Sequence, residues 1–366
     1  MKAFFVRHRK LHIWLLAELA LLAVFLAVRG NRTWMNALAT HVTTPLRRAI
    51  GSLCYRVNFS VAEALCVILV VFSAIYITVS IVKIVQGRGK RLRKAYAAAL
   101  GAVCIALTIY GGFCFLWGVD YYTDSFQDRS GIRASAVSTE DLTAVTQYFV
   151  QQLNAAADTV DRDADGLFAV PREQILAEST KVYGAVSQEF PFLVFDDQVP
   201  KSIYFSRTMS ALDFTGVYCP FTGESNVNVD SPACMLPSTI AHELAHQRSI
   251  SSEQECNFLS ILACTTCGKV DYNYSGLLLG YIHLGNALCK ADNDAWKAVY
   301  DSLDATVKAD LMNNNDYWKQ FQSGAVKKAS NKVYDSFLKS YGETAGLQSY
   351  GTVVDLLVDY YRDAAK

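Results

Sequence analysis

Charged side chains are scarce in this chain of 366 residues, of which 19% are charged and 52% are hydrophobic. A soluble globular domain carries more charge than this, so the composition excludes an ordinary water-exposed fold for the whole chain. Neither sign dominates, because 34 basic residues balance 34 acidic ones. Without a basic surplus, or a basic face interleaved with aromatic side chains, we predict no nucleic-acid partner.

Long apolar runs account for the hydrophobic excess, and they lie at the front of the chain. The segments at about 11–28, 61–82 and 96–117 each supply the roughly 20 mostly apolar residues that a helix needs to cross a membrane. The first run is long for a signal peptide, and no small-x-small cleavage pattern follows it, so we expect a retained anchor. The sequence therefore predicts a membrane region with three transmembrane helices over 1–119 and a second domain over 120–366.

Lysine and arginine cluster beside the spans at residues 2–10 and 86–94, whereas residues 118–128, after the third span, are acidic. Basic flanks stay in the cytoplasm, so we expect a cytoplasmic N-terminus and an extracytoplasmic domain at 120–366. Five arginines of the first loop oppose this orientation, although they are spread over a longer segment: Arg29, Arg32, Arg47, Arg48 and Arg56. Residues 38–57 of that loop have the pattern of an amphipathic helix at the membrane surface.

The domain at 120–366 has a mainly helical pattern with one interruption, which predicts an α+β fold. Apolar residues recur at three- and four-residue steps over 138–160 and 171–190, with Ser, Thr or Pro at the start of each run. Between residues 200 and 230, β-branched and aromatic residues alternate with polar ones, which indicates short strands. Helical patterns resume at Pro237 and continue to the C-terminus.

The stretch STIAHELAHQRSISSEQECNFLS, at 238–260, carries the chemistry. His242 and His246 lie four residues apart, so on a helix they share one face and can present imidazole nitrogens to one metal ion. Glu243 lies beside that face, within reach of a proton on a metal-bound water. This is the H-E-x-x-H pattern of zinc hydrolases. The alternative is a buried helix whose two histidines make structural hydrogen bonds.

A catalytic zinc site needs a third protein ligand. Glu253 is our candidate, and Asn257, one turn later on the same face, could support a ligand through a hydrogen bond. Glu255 is the alternative third ligand. If Ser252 caps the second helix, Glu255 falls at the reciprocal position of a capping box and is occupied there, which favours Glu253.

An oxyanion stabiliser is expected near the metal, because charge develops on an attacked carbonyl oxygen. Tyr350, Tyr281 and His283 are candidates by residue type alone. The strand with Tyr218, Gly223 and the run ESNVNV could lie beside the metal helix and bind an extended substrate by strand addition. A strand that simply covers the core is the alternative.

Two further patterns carry weaker expectations. Asp161, Asp163, Asp165 and Gly166 match the start of a calcium-binding loop, but Arg172 stands where the closing Glu belongs, so a solvated acidic turn is favoured over calcium binding. Cys219 and Cys234 flank the predicted strands, where a disulfide is possible outside the cytoplasm. The single C-x-x-C at 264–267 lacks the second pair that a zinc knuckle needs.

Five stretches together carry a family resemblance: PFTGESNVNVD, HELAHQ, EQECNF, YSGLLLGYIHLGNAL and SYGTVVDLLVDYY. With the three spans, they resemble the bacterial membrane family known as domain of unknown function 3810. The resemblance implies a membrane-anchored zinc metallopeptidase with a zincin-like, gluzincin-type domain, in the bacterial cytoplasmic membrane. The Glu-x-x-x-Asn step is similar to that of gluzincin peptidases, which favours Glu253. Ser249 stands where the family usually has glycine, and Cys256 where it has alanine.

We therefore expect a multi-pass protein of the lipid membrane whose outer domain is a zinc metallohydrolase, acting on peptide or protein substrates at the outer face. One zinc ion on His242, His246 and Glu253 would activate water, and Glu243 would take its proton and pass it to the leaving amine. The alternative is a catalytically degenerate zincin that serves as a membrane-bound binding or sensor module. Glu243 favours the enzyme, because a binding-only metal site has no use for that carboxylate.

Overall fold

Residue contacts divide the chain into two compact units. The computed structural model describes residues 7–135, 137–321, 324–341 and 351–366. Unit 1 comprises Met1–Thr123 with Pro220–Gly223, and unit 2 comprises Asp124–Cys219 with Glu224–Lys366. The division after Thr123 lies close to the boundary that the sequence predicts at 119.

Unit 1 is helical, with helices α1 (Arg9–Val28), α2 (Arg32–Leu38), α3 (Thr44–Cys54), α4 (Val61–Val85) and α5 (Arg91–Leu116). Helices α1, α4 and α5 are long and apolar enough to cross a membrane, which confirms three candidate spans. A π-helical turn at Ala39–Thr43 joins α2 to α3, so the first loop is helical over most of its length.

Two arginines of the first loop have partners in the 3-10 turn Gly118–Tyr122, which follows α5. Arg47 and Asp120 form a buried ion pair. Arg29 donates a hydrogen bond to the hydroxyl of Tyr122 at 2.8 Å. The first loop and the residues after α5 therefore lie at the same end of the three apolar helices.

Glu18 is buried between α1 and α5, with 9% of its surface exposed. Its carboxylate accepts hydrogen bonds from Trp14 Nε1 at 3.0 Å and from Thr108 Oγ1 at 2.7 Å. An ionisable group among apolar helices is costly unless such partners are present. The hydrogen bond from Thr108 links the first span to the third.

Unit 2 is mainly helical, with helices α6 (Phe126–Ser130), α7 (Thr139–Ala157), α8 (Arg172–Glu178), α9 (Gly184–Glu189), α10 (Ser206–Ala211), α11 (Leu236–Gln247), α12 (Glu253–Thr266), α13 (Val270–Ala291), α14 (Asn293–Asp301), α15 (Ala305–Lys319), α16 (Ala325–Ser340) and α17 (Gly351–Tyr361). Short 3-10 turns lie at Ser179–Lys181, Pro191–Leu193 and Ala233–Met235.

The single helix predicted over 171–190 is wrong, because the α-helix ends at Glu178 and a 3-10 turn begins at Ser179. The Ser179 hydroxyl donates to the Leu176 carbonyl at 2.6 Å, and a serine bonded in this way competes with continuing the helix.

A three-stranded sheet occupies the predicted strand region, with β1 (Lys201–Ser202), β2 (Gly216–Cys219) and β3 (Glu224–Val227). The strand order is β1-β3-β2, with β1 parallel and β2 antiparallel to β3. The strand with Tyr218 is therefore an edge strand, whereas the ESNV strand is central. Helix α10 lies between β1 and β2 in sequence, where the sequence indicated strands alone.

The core of unit 2 is built on α11, α12 and α13. Ile240 and Leu244 of α11 are fully buried, as are Leu259 of α12 and Leu278 of α13. Burying one such side chain stabilises the fold by about 1.5–3 kcal/mol. This packing holds α11 rigidly, with its histidine-bearing face turned toward the start of α12.

Cys219 and Cys234, the pair that the sequence leaves as a possible disulfide, are not bonded to each other in the structure, and the bridge stays a prediction. Cys219 ends the edge strand β2, whereas Cys234 lies in the 3-10 turn before α11, within the hydrophobic core. Burial raises the pKa of Cys234 well above its ordinary value, so its thiol stays protonated and packs as a small apolar side chain.

The acidic segment at 161–166 forms a tight turn. Asp163 accepts hydrogen bonds from the backbone N–H groups of Asp165 at 3.0 Å and Leu167 at 2.9 Å. An isolated β-bridge between Arg162 and Phe168 closes it. The Asp163 carboxylate therefore stabilises the local backbone, in keeping with the acidic turn that the sequence favours.

Candidate metal centre

Helix α11 presents His242 and His246 on one face, one turn apart. Their ring centroids are separated by 4.9 Å, with an interplanar angle of 81°. Pro237 lies in the first turn, where its missing N–H has no helical partner to lose. Ile240, Ala241, Leu244 and Ala245, all without exposed surface, anchor the rest of the helix in the core.

Each imidazole is oriented by a hydrogen bond at Nδ1. Nδ1 of His242 lies 2.9 Å from Oδ1 of Asn257, and Nδ1 of His246 lies 2.8 Å from the carbonyl oxygen of Ile250. A carbonyl oxygen can only accept, so both Nδ1 atoms carry the proton. In the neutral rings the lone pairs are therefore on Nε2, as in histidines whose second nitrogen is set for metal binding.

Glu253, the first residue of α12, faces both Nε2 atoms. Its Oε2 lies 3.1 Å from Nε2 of His242, and its Oε1 lies 3.6 Å from Nε2 of His246. Two ligands of a tetrahedral zinc ion, each at about 2.0–2.1 Å from the metal, lie about 3.3 Å apart. The two observed separations, each to a different oxygen of the Glu253 carboxylate, lie close to that value, so the donor atoms present fit a zinc ion.

The three converging atoms share one electrostatic property. With neutral imidazoles, two nitrogen lone pairs and a carboxylate all point at one volume, and all three are acceptors. Such a cluster is stabilised by a cation, either a proton on a ring or a metal ion. Without a metal that cation is a proton: burial lowers the pKa of His246, but Cys256 and Glu253 raise it well above its ordinary value. Burial in turn raises the pKa of Glu253, but the protonated rings lower it well below its ordinary value.

The turn between α11 and α12 brings Glu253 into position. Ser249 in that turn has a φ of +64°, in the left-handed region that favours glycine. Its N–H donates to the carbonyl of His246 at 2.9 Å, closing the end of α11. The family's usual glycine at this position therefore has a conformational reason, and this chain places a serine there at a modest cost in strain.

Glu243 lies deep beside the histidines, with 4% of its surface exposed. A Cβ atom at Gly216 of β2 would lie 2.5 Å from Oε1 of Glu243, so the carboxylate reaches the strand because residue 216 is glycine. Among the described residues, its Oε2 has no hydrogen-bond partner. Burial raises the pKa of Glu243 to about 7, although the charges of the histidines and the N–H of Tyr218 lower it.

Glu255, the alternative third ligand, faces away from the histidines. Its oxygens accept hydrogen bonds from the backbone N–H groups of Phe126 at 2.8 Å and Gln127 at 3.1 Å, at the start of α6. Ser252 is the N-cap residue of α12, as predicted, but its side chain makes no capping hydrogen bond. The capping box is therefore wrong, because Glu255 caps α6 instead of its own helix. Burial raises the pKa of Glu255, and those backbone bonds oppose the shift.

Cys256 is a further thiol that the structure brings to the histidines. The ligand atoms of His242, His246 and Cys256 lie within 4.8 Å of one another. The Cys256 Sγ atom, however, lies 3.3 Å from Nδ1 of His246, on the side that the Ile250 carbonyl occupies. Burial raises the pKa of the thiol to about 12. The carboxylate of Glu253, which faces Nε2 of both rings, is the better third ligand.

The three candidates for the oxyanion stabiliser are His283, Tyr281 and Tyr350. Burial, reinforced by the charge of His242, lowers the pKa of His283, on α13, to about 4, so its imidazole is neutral near neutral pH. Tyr281 lies elsewhere on α13, buried in the hydrophobic core of unit 2. Tyr350 lies outside the described residues.

A tyrosine that sequence reasoning missed does reach the centre. The hydroxyl of Tyr334, on α16, donates to Oε1 of Glu253 at 2.6 Å. The contact joins residues 81 positions apart, and no spacing rule connects them. Phe337 and Tyr341 follow Tyr334 at helical steps, so the aromatic pattern indicates a packing face and gives no sign of a polar contact.

Comparison with known proteins places the chain in a family. A family model described as "Protein of unknown function (DUF3810)" matches residues 39–358. The chain belongs to this family. The match extends from the first loop of unit 1 into α17, so the family covers the second and third candidate spans as well as the whole centre. No curated protein and no solved structure shows significant similarity to the chain.

The description of the DUF3810 family assigns no activity to its members. The chemistry of the centre is therefore inferred from its side chains and their geometry. Two imidazoles with oriented lone pairs, a facing carboxylate and a buried carboxylate beside them form a set that can bind a divalent metal ion and move a proton next to it.

Proposed function

We propose that this protein is a membrane-anchored zinc metallohydrolase that cleaves peptide bonds. The observation that carries the proposal is the convergence of Nε2 of His242, Nε2 of His246 and the carboxylate of Glu253 on one volume. Two nitrogens and one oxygen are a ligand set that zinc uses in hydrolases, which keep a fourth position for water or substrate.

A zinc ion held there would polarise a substrate carbonyl and make a water molecule more acidic. Glu243 is the residue that takes the proton from that water and delivers it to the leaving amine. Its buried Oε2, which lacks a partner among the described residues, is an acceptor ready for this proton. With its pKa raised to about 7, Glu243 can exchange a proton near neutral pH.

Strand β2 is the proposed place for the substrate backbone. It is the edge strand of the sheet, and it contacts the catalytic glutamate at Gly216. The side chain of Val217 is exposed. An extended peptide could pair with this edge and place its scissile bond next to Glu243. Of the candidates for stabilising the oxyanion, we choose His283, whose imidazole is neutral because its pKa is lowered to about 4.

A membrane-bound binding or sensor module is the second candidate. It would use the same two histidines and Glu253, but it would have no need of Glu243. Burying a carboxylate oxygen without a partner costs about 1–3 kcal/mol or more, and a site that only binds metal gains nothing in return. The buried Glu243 therefore favours the hydrolase.

The test of function uses the full chain purified in detergent. Metal analysis by mass spectrometry is expected to find about one zinc per chain, and the loaded protein is expected to cleave members of a peptide library. Zinc without any cleavage would favour the binding module. A chain that binds no divalent metal under any loading condition would end the proposal.

The orientation of the membrane region is part of the same proposal. The basic segments at 2–10 and 86–94 support a cytoplasmic N-terminus and an extracytoplasmic unit 2. A reporter that is active only outside the cytoplasm, fused after Lys366, is expected to be active. Activity of a cytoplasmic reporter at the same position would place the centre on the inner face.

A further inference from the structure

We propose that Tyr334 is a positioning residue of the metal centre, and that α16 is the element that holds it there. The inference rests on the proposed function, because it concerns the carboxylate that we assign as the third zinc ligand. It adds to the centre a side chain from a helix far outside the H-E-x-x-H segment.

The contact itself is short and directional. The Tyr334 hydroxyl donates to Oε1 of Glu253 at 2.6 Å, while Oε2 of the same carboxylate faces His242. Glu253 begins its helix, and its side chain is 28% exposed, so packing alone does not fix its rotamer. A phenol that bonds Oε1 selects a single orientation of the carboxylate, with Oε2 toward His242 and Oε1 on the side of His246.

Helix α16 is attached to the rest of unit 2 by a row of side chains on one face. Lys327 Nζ lies 2.9 Å from Oδ1 of Asp213, and Asn331 Nδ2 donates to Oδ2 of Asp213 at 3.1 Å. The Ser330 hydroxyl donates to the carbonyl of Leu212 at 3.0 Å. Tyr334 follows Lys327 by two helical turns, so the same face that binds the Asp213 turn presents the phenol to Glu253.

The Asp213 turn is built for this attachment. Asp213 has a φ of +71°, a conformation that is costly for most residues and that aspartate tolerates better. Phe214, the next residue, packs its ring edge-on against Tyr334 at a centroid distance of 5.5 Å. One turn therefore contacts the helix through a carboxylate and an aromatic ring, and fixes both its position and the ring of Tyr334.

A supporting partner of this kind affects metal affinity rather than the identity of the ligands. Removing such a partner typically weakens metal binding about 10–100-fold. Tyr334→Phe keeps the ring and its packing against Phe214, and deletes the hydroxyl alone. Tyr360→Phe is the matched control, because it removes a phenol hydroxyl that bonds Glu189, on a different helix of unit 2.

The experiment measures the dissociation constant of Zn²⁺ from the detergent-purified full chain, by competition with a chelator. Tyr334→Phe is expected to bind Zn²⁺ about 10–100-fold more weakly than wild type, whereas Tyr360→Phe matches wild type. The Co²⁺ absorption bands of Tyr334→Phe are expected to keep their positions, because the three ligands are unchanged. Thermal midpoints of the metal-free proteins check that both variants fold.

A second variant tests the role of α16. Asp213→Gly suits the left-handed backbone but deletes the acceptor of Lys327 and Asn331, so it is expected to weaken Zn²⁺ binding without lowering the midpoint. Combining it with Tyr334→Phe is expected to add little, because both changes act on Glu253 through the same contact.

The outcomes separate this inference from the proposed function. If wild type binds no Zn²⁺, the proposed function fails and the role of Tyr334 falls with it. If wild type binds Zn²⁺ and Tyr334→Phe binds it equally well, Tyr334 has no positioning role while the zinc site stands. An equal loss in Tyr334→Phe and Tyr360→Phe, or full additivity with Asp213→Gly, also overturns the inference.

Discussion

The first turn of α12 presents two glutamates to two different environments. Glu253 is partly exposed and faces the lone-pair side of two histidines, whereas Glu255 is 3% exposed and faces the N-terminus of α6. Two residues apart on an α-helix means roughly 200° of rotation, so the two carboxylates point to opposite sides. Identical side chains in one turn thus serve different purposes because of the partners that each face meets.

The difference between the two faces is a difference in hydrogen-bonding balance. Glu255 meets backbone donors, which satisfy its charge without any ion. Glu253 meets imidazoles whose Nδ1 protons are already used, so the cluster has a surplus of acceptors. A cluster with more acceptors than donors is stabilised by a cation. Metal binding is therefore expected to depend on Glu253 and not on Glu255.

The largest expected effect separates the two glutamates by metal binding. Glu253→Ala removes a ligand, so Zn²⁺ affinity is expected to fall by more than the roughly 100-fold limit for losing a supporting partner. Glu255→Ala leaves the ligands in place and is expected to keep its zinc. Equilibrium dialysis with metal analysis measures both. The reverse result would exchange the roles of the two residues and leave the zinc site itself standing.

Titration of Glu243 is expected to give the next largest effect. Its pKa is raised from 4.5 to about 7 in the folded chain, so the folded state holds a proton that the unfolded state has lost in that pH range. The free energy of unfolding of the metal-free protein is therefore highest below the lower value and decreases as pH rises toward 7. The decrease due to this group is about 3 kcal/mol.

Glu243→Gln is the control for that titration, since glutamine does not ionise. Chemical denaturation of both metal-free proteins across this pH range measures the difference between their slopes. Equal slopes in wild type and variant would show that Glu243 titrates near its ordinary value. The carboxylate of Glu243 would then not be destabilised by its burial, and its proposed role as a base near neutral pH would lose its basis.

Stability in the absence of metal is expected to reverse the ranking of the two α12 glutamates. Glu255→Ala leaves one buried and one partly buried backbone N–H group of α6 without their acceptor, which costs about 1–3 kcal/mol. Glu253→Ala, on the more exposed face, is expected to cost less. Denaturant unfolding of the metal-free variants measures both changes, and a larger loss for Glu253→Ala would contradict the assignment of the two faces.

The smallest expected effect concerns the turn that joins α11 and α12. Ser249→Gly removes the strain of a left-handed serine, about 1–2 kcal/mol, and adds roughly 0.4–1 kcal/mol of chain entropy to be lost on folding. A net gain of about 0.5 kcal/mol is expected, with zinc affinity unchanged. A clear loss of stability in the same denaturation assay would show that the serine side chain stabilises the turn.

The parts of the centre that could be predicted are those encoded locally. Helical periodicity places His242, His246 and Glu243, and the spacing after a short turn brings in Glu253 and Asn257. The three spans follow from apolar length alone. In each case one segment contains both the residue and the pattern that identifies it.

The parts that could not be predicted depend on contacts between distant segments. The two α6 N–H groups that bond Glu255 lie 129 and 128 positions away from it in sequence, and Tyr334 lies 81 positions from Glu253. Cys219 and Cys234 likewise belong to different elements, and their spacing in the sequence does not say whether they meet. The spacing of residues within one helix does not indicate which other element packs against that helix.

The central claim is that Glu243 moves the proton in a hydrolysis at the zinc centre. The measurement that tests it most directly compares wild type and Glu243→Gln for zinc content and for cleavage of a peptide identified from the library. We predict that the variant keeps about one zinc per chain and loses hydrolysis by about 100-fold or more, the range for losing a general base. Hydrolysis at the wild-type rate in a zinc-loaded Glu243→Gln protein would contradict the mechanism.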